Sequence, residues 1–362
     1  MRKYNSFNRN YLKKHLKEIL KYKEKLEQAE LLDEEQHELI LEDIKNLKLF
    51  LENKSIDTLY DELENESLSE KRKNNKDYFK QEKESIPVIR EFNYTYQRAV
   101  INLDLENFIC DKCTDTAYTH KRLLHMVHDF YMTIPDKEFK DIFNKLYSDR
   151  IYNVRFKELD ASYCGGTAVD DKQYISIDNS INYSCFGSLA HEYAHAIHQN
   201  YLGKYICYAN DQYTELVSIF FQLLANEYIA NIGNNKERAR QDSIGFLIRM
   251  DIYANNLEVL HNTRNMNFKT EKEMYEYFSK LLYEEEVEMA MAYDAYLFHD
   301  YLIPYIIDLE LLWEYKNDPE KSLYMLKHLI NNSEKSYIEE TKKLGLHLNA
   351  HEYKYIKHLT NK

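Results

Sequence analysis

Residue types that hold transition metals meet in one short run of this 362-residue chain. His191, Glu192 and His195 stand in SLAHEYAHAIH, residues 188–198, and match H-E-x-x-H. In a helix, residues four apart share a face, so both imidazoles can aim a ring nitrogen at one ion. Glu192 then projects beside them, where a carboxylate can take a proton from water that the ion activates. His198 lies at i+3 from His195 and reads as a side chain that contacts a ligand residue or the substrate rather than as a ligand. The pattern alone is weak, because a long chain with 14 His and abundant Glu can meet it by chance.

A catalytic zinc ion takes three protein ligands and leaves one position open. The search for the third leads downstream to Glu215, in TELVSIFFQLLANE, at the spacing of the thermolysin-like arrangement. Its neighbours Leu216, Val217, Ile219, Phe220, Leu223 and Leu224 are apolar, and a carboxylate entering such a helix is costly without a cation to receive it. The alternative is a Glu at a helix start, favoured by the macrodipole. Glu227 is a competitor, but it lies further along the helix and points elsewhere.

These groups need elements to position them. Residues 151–180 are the β-like part: Val154, Phe156, the pair Gly165 and Gly166, and the run at 174–177 suggest short strands around a turn. The motif helix follows, then a polar connection over 199–212. Further helices are predicted at 213–232, 237–263, 270–300 and 301–315, with a last pair in 318–345. Upstream, 119–132 forms a helix that Pro135 ends, and 136–147 starts another. His120, His125 and His128 on the first of these read as packed or exposed side chains. Residues 88–109 are mainly helical. Residues 11–53 carry apolar positions at three and four, giving one or two amphipathic helices that pack on the rest of the chain. The charged, apolar-poor stretch 62–86 marks a boundary. The division predicted is a charged helical region over 1–86 and a helical catalytic domain over 87–362, its core at 150–346.

Composition narrows the function. Seven Gly and four Pro in this length favour long helices with short connections. The 33 Tyr serve mainly as amphipathic filler on helix faces. A net charge of −13 argues against nucleic-acid binding. Five Cys do not make a secreted disulfide framework, and Cys110 with Cys113 form a lone C-x-x-C without a partner pair. The first residues lack the apolar core of a signal peptide, and no apolar run reaches bilayer length. The expectation is a soluble, cytoplasmic protein with no membrane insertion; the sequence leaves its oligomeric state unknown.

The segment 157–227 resembles the oligoendopeptidase F and thimet oligopeptidase family of zinc peptidases. The stretch at 161–166, ASYCGG, stands where the family carries a Gly-Ala-Tyr-type run. A hairpin ending in Asn179 follows, then Leu-Ala-His-Glu-x-x-His-x-x-His at 189–198, then Glu215 with Ser218 in a Glu-x-x-Ser context. The resemblance implies a mainly α, multi-helix, zincin-like (gluzincin) peptidase with a small β-hairpin or sheet ahead of the H-E-x-x-H helix. It implies one zinc ion held by His191, His195 and Glu215, Glu192 as general base, and oligopeptide substrates.

The family's oxyanion donors sit on a late helix, and residues 292–301 resemble it. Tyr293, Tyr296, Tyr301 and His299 are therefore the donor candidates. The pattern departs there: Met291 stands where the family has a His, and His299 where it has an aromatic. The chain also has only about 150 residues before Lys157, so the far wall of the family's deep channel is shortened or built otherwise. Two rival readings are a catalytically inactive peptide-binding protein on the same scaffold and a helical interaction protein with an accidental motif.

Overall fold

The computed structural model describes Lys17, Leu20 and residues 85–100, 118–150, 154–157, 162–166, 173–178, 184–202, 213–232, 236–263, 266–282, 284–291, 296–333, 335–348 and 353–360. The chain divides into two compact units, one of Met1–Glu64 with Thr114–Tyr208, the other of Asn65–Cys113 with Ala209–Lys362. The predicted helices of 11–53, apart from Lys17 and Leu20, lie outside the described residues, as do Cys110 and Cys113.

In the first unit, helix α2 (His120–Thr133) is capped by Thr119, whose hydroxyl accepts from the Arg122 amide. Helix α3 (Lys137–Ser148) is capped the same way by Asp136, which accepts from Phe139 N–H at 2.9 Å. Each cap satisfies a backbone donor that the first helical turn leaves unpaired, and Pro135 separates the two helices as predicted. Three strands follow: β1 (Val154–Lys157), β2 (Tyr163–Gly166) and β3 (Gln173–Asp178). They form one sheet in the order β1-β3-β2, with β1 parallel and β2 antiparallel to β3. Gly165 and Gly166 lie inside β2, paired with Tyr174 and Gln173, and not at the turn that their type suggests. Helix α4 (Ser184–Leu202) begins before the motif and packs on α2, α3, β2 and β3.

The α2–α3 hairpin supports α4 through aromatic packing. Phe186, Ala190, Tyr193 and Ile197, spaced for one helical face, are all buried. Tyr193 meets Phe143 edge to face at 5.1 Å and Tyr131 at 6.4 Å, while Tyr131 stacks on Phe143 at 4.3 Å. Several of the 33 Tyr thus act as core side chains rather than as wet surface filler.

Among the described residues, the regular elements of the second unit are all helices: α1 (Ser85–Val100), α5 (Thr214–Ala230), α6 (Lys236–Thr263), α7 (Glu271–Phe278), α8 (Glu284–Met291), α9 (Tyr296–Asn317), α10 (Pro319–Asn331), α11 (Tyr337–Lys343) and α12 (Lys354–Thr360). Helices α5 and α9 are apolar on nearly every side and pack on each other and on α6, so they form its centre. α1 closes one side, with Phe92 edge to face against Tyr305 and Tyr353 at 6.1 Å each. Pro87 sits in the first turn of α1, where a missing N–H costs nothing.

Three sequence expectations change here. The predicted helix 270–300 is interrupted: α7 ends at Phe278, and Ser279 Oγ donates to the Tyr275 carbonyl at 2.7 Å, drawing the chain into a turn. The predicted break at 300–301 is absent, because α9 runs through it and accommodates Pro304. Helix α12 was not predicted; Tyr353 and Tyr355, both fully buried, hold that end of the chain. Helix α11 ends in a Schellman turn, with Leu346 N–H on the Thr341 carbonyl and Gly345 N–H on Lys342, and Gly345 takes the φ of 75° that this turn requires.

Candidate metal and catalytic site

The H-E-x-x-H run lies within α4, so the predicted one-turn relationship holds. The Nε2 atoms of His191 and His195 face each other at 3.1 Å, with the rings inclined at 80°. His191 and Glu192 are buried, at 8% and 5% exposure, and His195 is half-buried. His198 is fully buried.

Two groups lie near this turn of α4. Tyr131 donates its hydroxyl to the Ala190 carbonyl at 2.6 Å, one residue before His191. Burial first, and Tyr193 second, push the Tyr131 phenol well above its ordinary range, so it remains a donor. Cys164 of β2 lies within electrostatic reach of Glu192. Burial, reinforced by the Glu192 charge, holds its thiol well above the ordinary value, which keeps it neutral and a poor nucleophile. Neither Tyr131 nor the Cys164–Glu192 proximity is visible in the motif, since both depend on how α2 and β2 pack on α4.

Glu215 lies in the first turn of α5 and is half-buried amid the apolar row read from the sequence. The Ser218 hydroxyl, itself fully buried, stands 2.9 Å from Glu215 Oε2 and 2.9 Å from its backbone carbonyl. It can donate its single proton to either oxygen, and the first contact orients the carboxylate. Glu227, the competitor, is engaged elsewhere: it pairs with Lys316 at 2.8 Å and accepts from Tyr355 Oη at 2.7 Å.

One potential ligand atom from each of His191, His195 and Glu215 lies within 4.8 Å of the other two. Among the described residues this is the one group of three or more His, Cys, Asp or Glu side chains so arranged. The donor set, two imidazole nitrogens and a carboxylate oxygen, is one that could hold a metal ion. The histidines of α2 take no part: His120 stacks on Phe156 at 4.2 Å, and His128 packs on Tyr147 at 4.8 Å.

The oxyanion candidates fare unequally. Tyr301 lies half-buried on α9, its ring edge to face with Tyr253 at 6.5 Å. Tyr296 and His299 belong to the first turn of the same helix, while Tyr293 lies outside the described residues. No helix among the described residues is long and apolar enough to cross a membrane.

No model of a known protein family matches the chain, and no curated protein sequence does. Solved structures do match. A protein of Chlamydophila abortus assigned as a peptidase aligns over 80% of this chain and 54% of its own, at TM-score 0.51 and 16% identity. A protein assigned as oligoendopeptidase F aligns over 81% and 57%, at TM-score 0.56 and 12% identity. PZ peptidase A, solved with an inhibitor, aligns over 80% and 57%, at TM-score 0.52 and 12% identity. The chain therefore shares the mainly helical, zincin-like fold of these proteins and spans a little over half of their length.

Proposed function

We propose that this chain is a zinc-dependent endopeptidase acting on oligopeptides. The observation that carries the reading is the convergence of donor atoms from His191, His195 and Glu215 within 4.8 Å, with Glu192 in the same turn of α4. Two nitrogens bound to one tetrahedral zinc at ordinary bond lengths stand about 3.3 Å apart. The 3.1 Å between the two Nε2 atoms fits that separation. His191, His195 and Glu215 would hold the ion, which supplies Lewis acidity and a lowered water pKa when bound.

The rest of the chemistry falls to side chains of the chain. Glu192, buried beside the ligands, takes the proton of the attacking water and passes it to the leaving amine. Its burial keeps competing solvent away from the carboxylate. Tyr293, Tyr296, Tyr301 and His299 are the candidate donors to the oxyanion that develops on the scissile carbonyl. The shared fold supports a peptide as substrate, because the solved structures of this fold named above are peptidases by description.

The test combines metal content with cleavage of a fluorogenic peptide library. Purified protein should hold one equivalent of zinc, which His191→Ala and Glu215→Ala remove. Glu192→Gln should keep the zinc and lose cleavage by at least a hundredfold. Zinc-free protein in chelator-free buffer sinks the metal reading, and undiminished cleavage in Glu192→Gln sinks the general base. Zinc retained without cleavage in the unaltered protein leaves an inactive peptide-binding scaffold instead.

A further inference from the structure

The second unit contains a cavity of about 120 Å³ that the proposed chemistry does not use. It opens beside the end of α5, the start of α6 and the end of α12. Its lining departs from the apolar character of the surrounding bundle. Asn226 and Ser243 are buried, at 5% and 2% exposure, and among the described residues their side chains bond only to each other, Asn226 Nδ2 donating to Ser243 Oγ at 3.5 Å. That distance is at the limit of a hydrogen bond, so both side chains keep most of their bonding capacity for a third group.

The cavity is also locally cationic in a chain of net charge −13. Lys236 and Arg240 line it from the first two turns of α6, whose N-terminal dipole end opens there. Arg240 is held in place by its Nε, which donates to the Leu359 carbonyl at 3.3 Å. His358 of α12 forms part of the wall. The one carboxylate in the lining, Glu227, is already neutralised by Lys316 at 2.8 Å and accepts from Tyr355 at 2.7 Å. Two cationic side chains, Lys236 and Arg240, thus line the cavity against this single carboxylate. A volume of about 120 Å³ corresponds to about four waters, room for a small ion and not for a peptide.

We propose that this cavity binds a small oxyanion, of the phosphate or carboxylate type, independently of the metal centre. Lys236 and Arg240 supply the charge, and Asn226 and Ser243 supply neutral donors from the floor. Because α5, α6 and α12 all contribute to the wall, the bound anion links the C-terminal helix to the bundle.

The experiment is calorimetric titration of the full chain with inorganic phosphate and, separately, with acetate, against chloride at matched ionic strength. Saturable binding of either is expected; phosphate alone, acetate alone or both would identify the anion class. Lys236→Ala, at an exposed position, and Arg240→Met should each weaken that binding at least tenfold while far-UV circular dichroism is unchanged. His191→Ala should leave it unchanged, which separates this site from the metal centre. Absence of saturable binding to both anions overturns the proposal. So does binding that both cavity variants retain, or binding that His191→Ala abolishes.

Discussion

His191 Nε2 and His195 Nε2 face each other at 3.1 Å, one turn apart on α4. Two imidazole nitrogens at that separation either share a proton or share an ion, and Glu215 offers an oxygen within 4.8 Å of both. If zinc is the occupant, folding and metal binding are linked. Zinc at a thousandfold above its dissociation constant should stabilise the fold by about 4 kcal/mol. Thermal unfolding with and without a chelator measures this, and in His195→Ala the two curves should coincide.

Ser218 holds the Glu215 carboxylate at 2.9 Å from within the same helix. Partners that orient a ligand typically contribute 10- to 100-fold to metal affinity. Ser218→Ala should therefore weaken zinc binding by about 10-fold or more in competition with a chromophoric chelator. Ser218→Thr, which retains the hydroxyl, should recover much of the affinity.

Tyr131 reaches from α2 to the Ala190 carbonyl, beside the first histidine. Tyr131→Phe removes a buried hydrogen bond and should cost about 1–2 kcal/mol in urea unfolding. A larger loss of zinc affinity than of stability would show that this bond sets the pitch of α4 at His191.

Asp308 on α9 is fully buried, and neither of its carboxyl oxygens has a hydrogen-bond partner among the described residues. Burial raises its pKa well above the ordinary carboxylate value, so the native state keeps a proton that the unfolded chain releases. The sign follows from linkage. This group's contribution to stability is greatest below about pH 3.9 and declines as pH rises toward its folded pKa. Asp308→Asn should flatten that decline, so that the variant gains in stability on the parent protein as pH rises. Denaturant midpoints measured from pH 4 to pH 8 test this; parallel curves for the two proteins would refute it.

The sequence alone determined the parts of this protein that depend on local spacing. The i, i+4 relation of His191 and His195 follows from helical geometry, and the division of α2 from α3 follows from Pro135, which cannot continue a helix. Glu215 could be singled out because a carboxylate in an apolar helix needs a receiving charge. Groups that meet only through packing were beyond its reach. Tyr131 is 59 residues from Ala190, and Tyr355 is 128 from Glu227, so no local pattern pairs them. Gly165 and Gly166 look like a turn by composition, yet the pairing with β3 draws them into a strand. Pro304 looks like a helix stop, yet burial of α9 on its neighbours carries the helix past it, because tertiary packing outweighs the one hydrogen bond that proline removes.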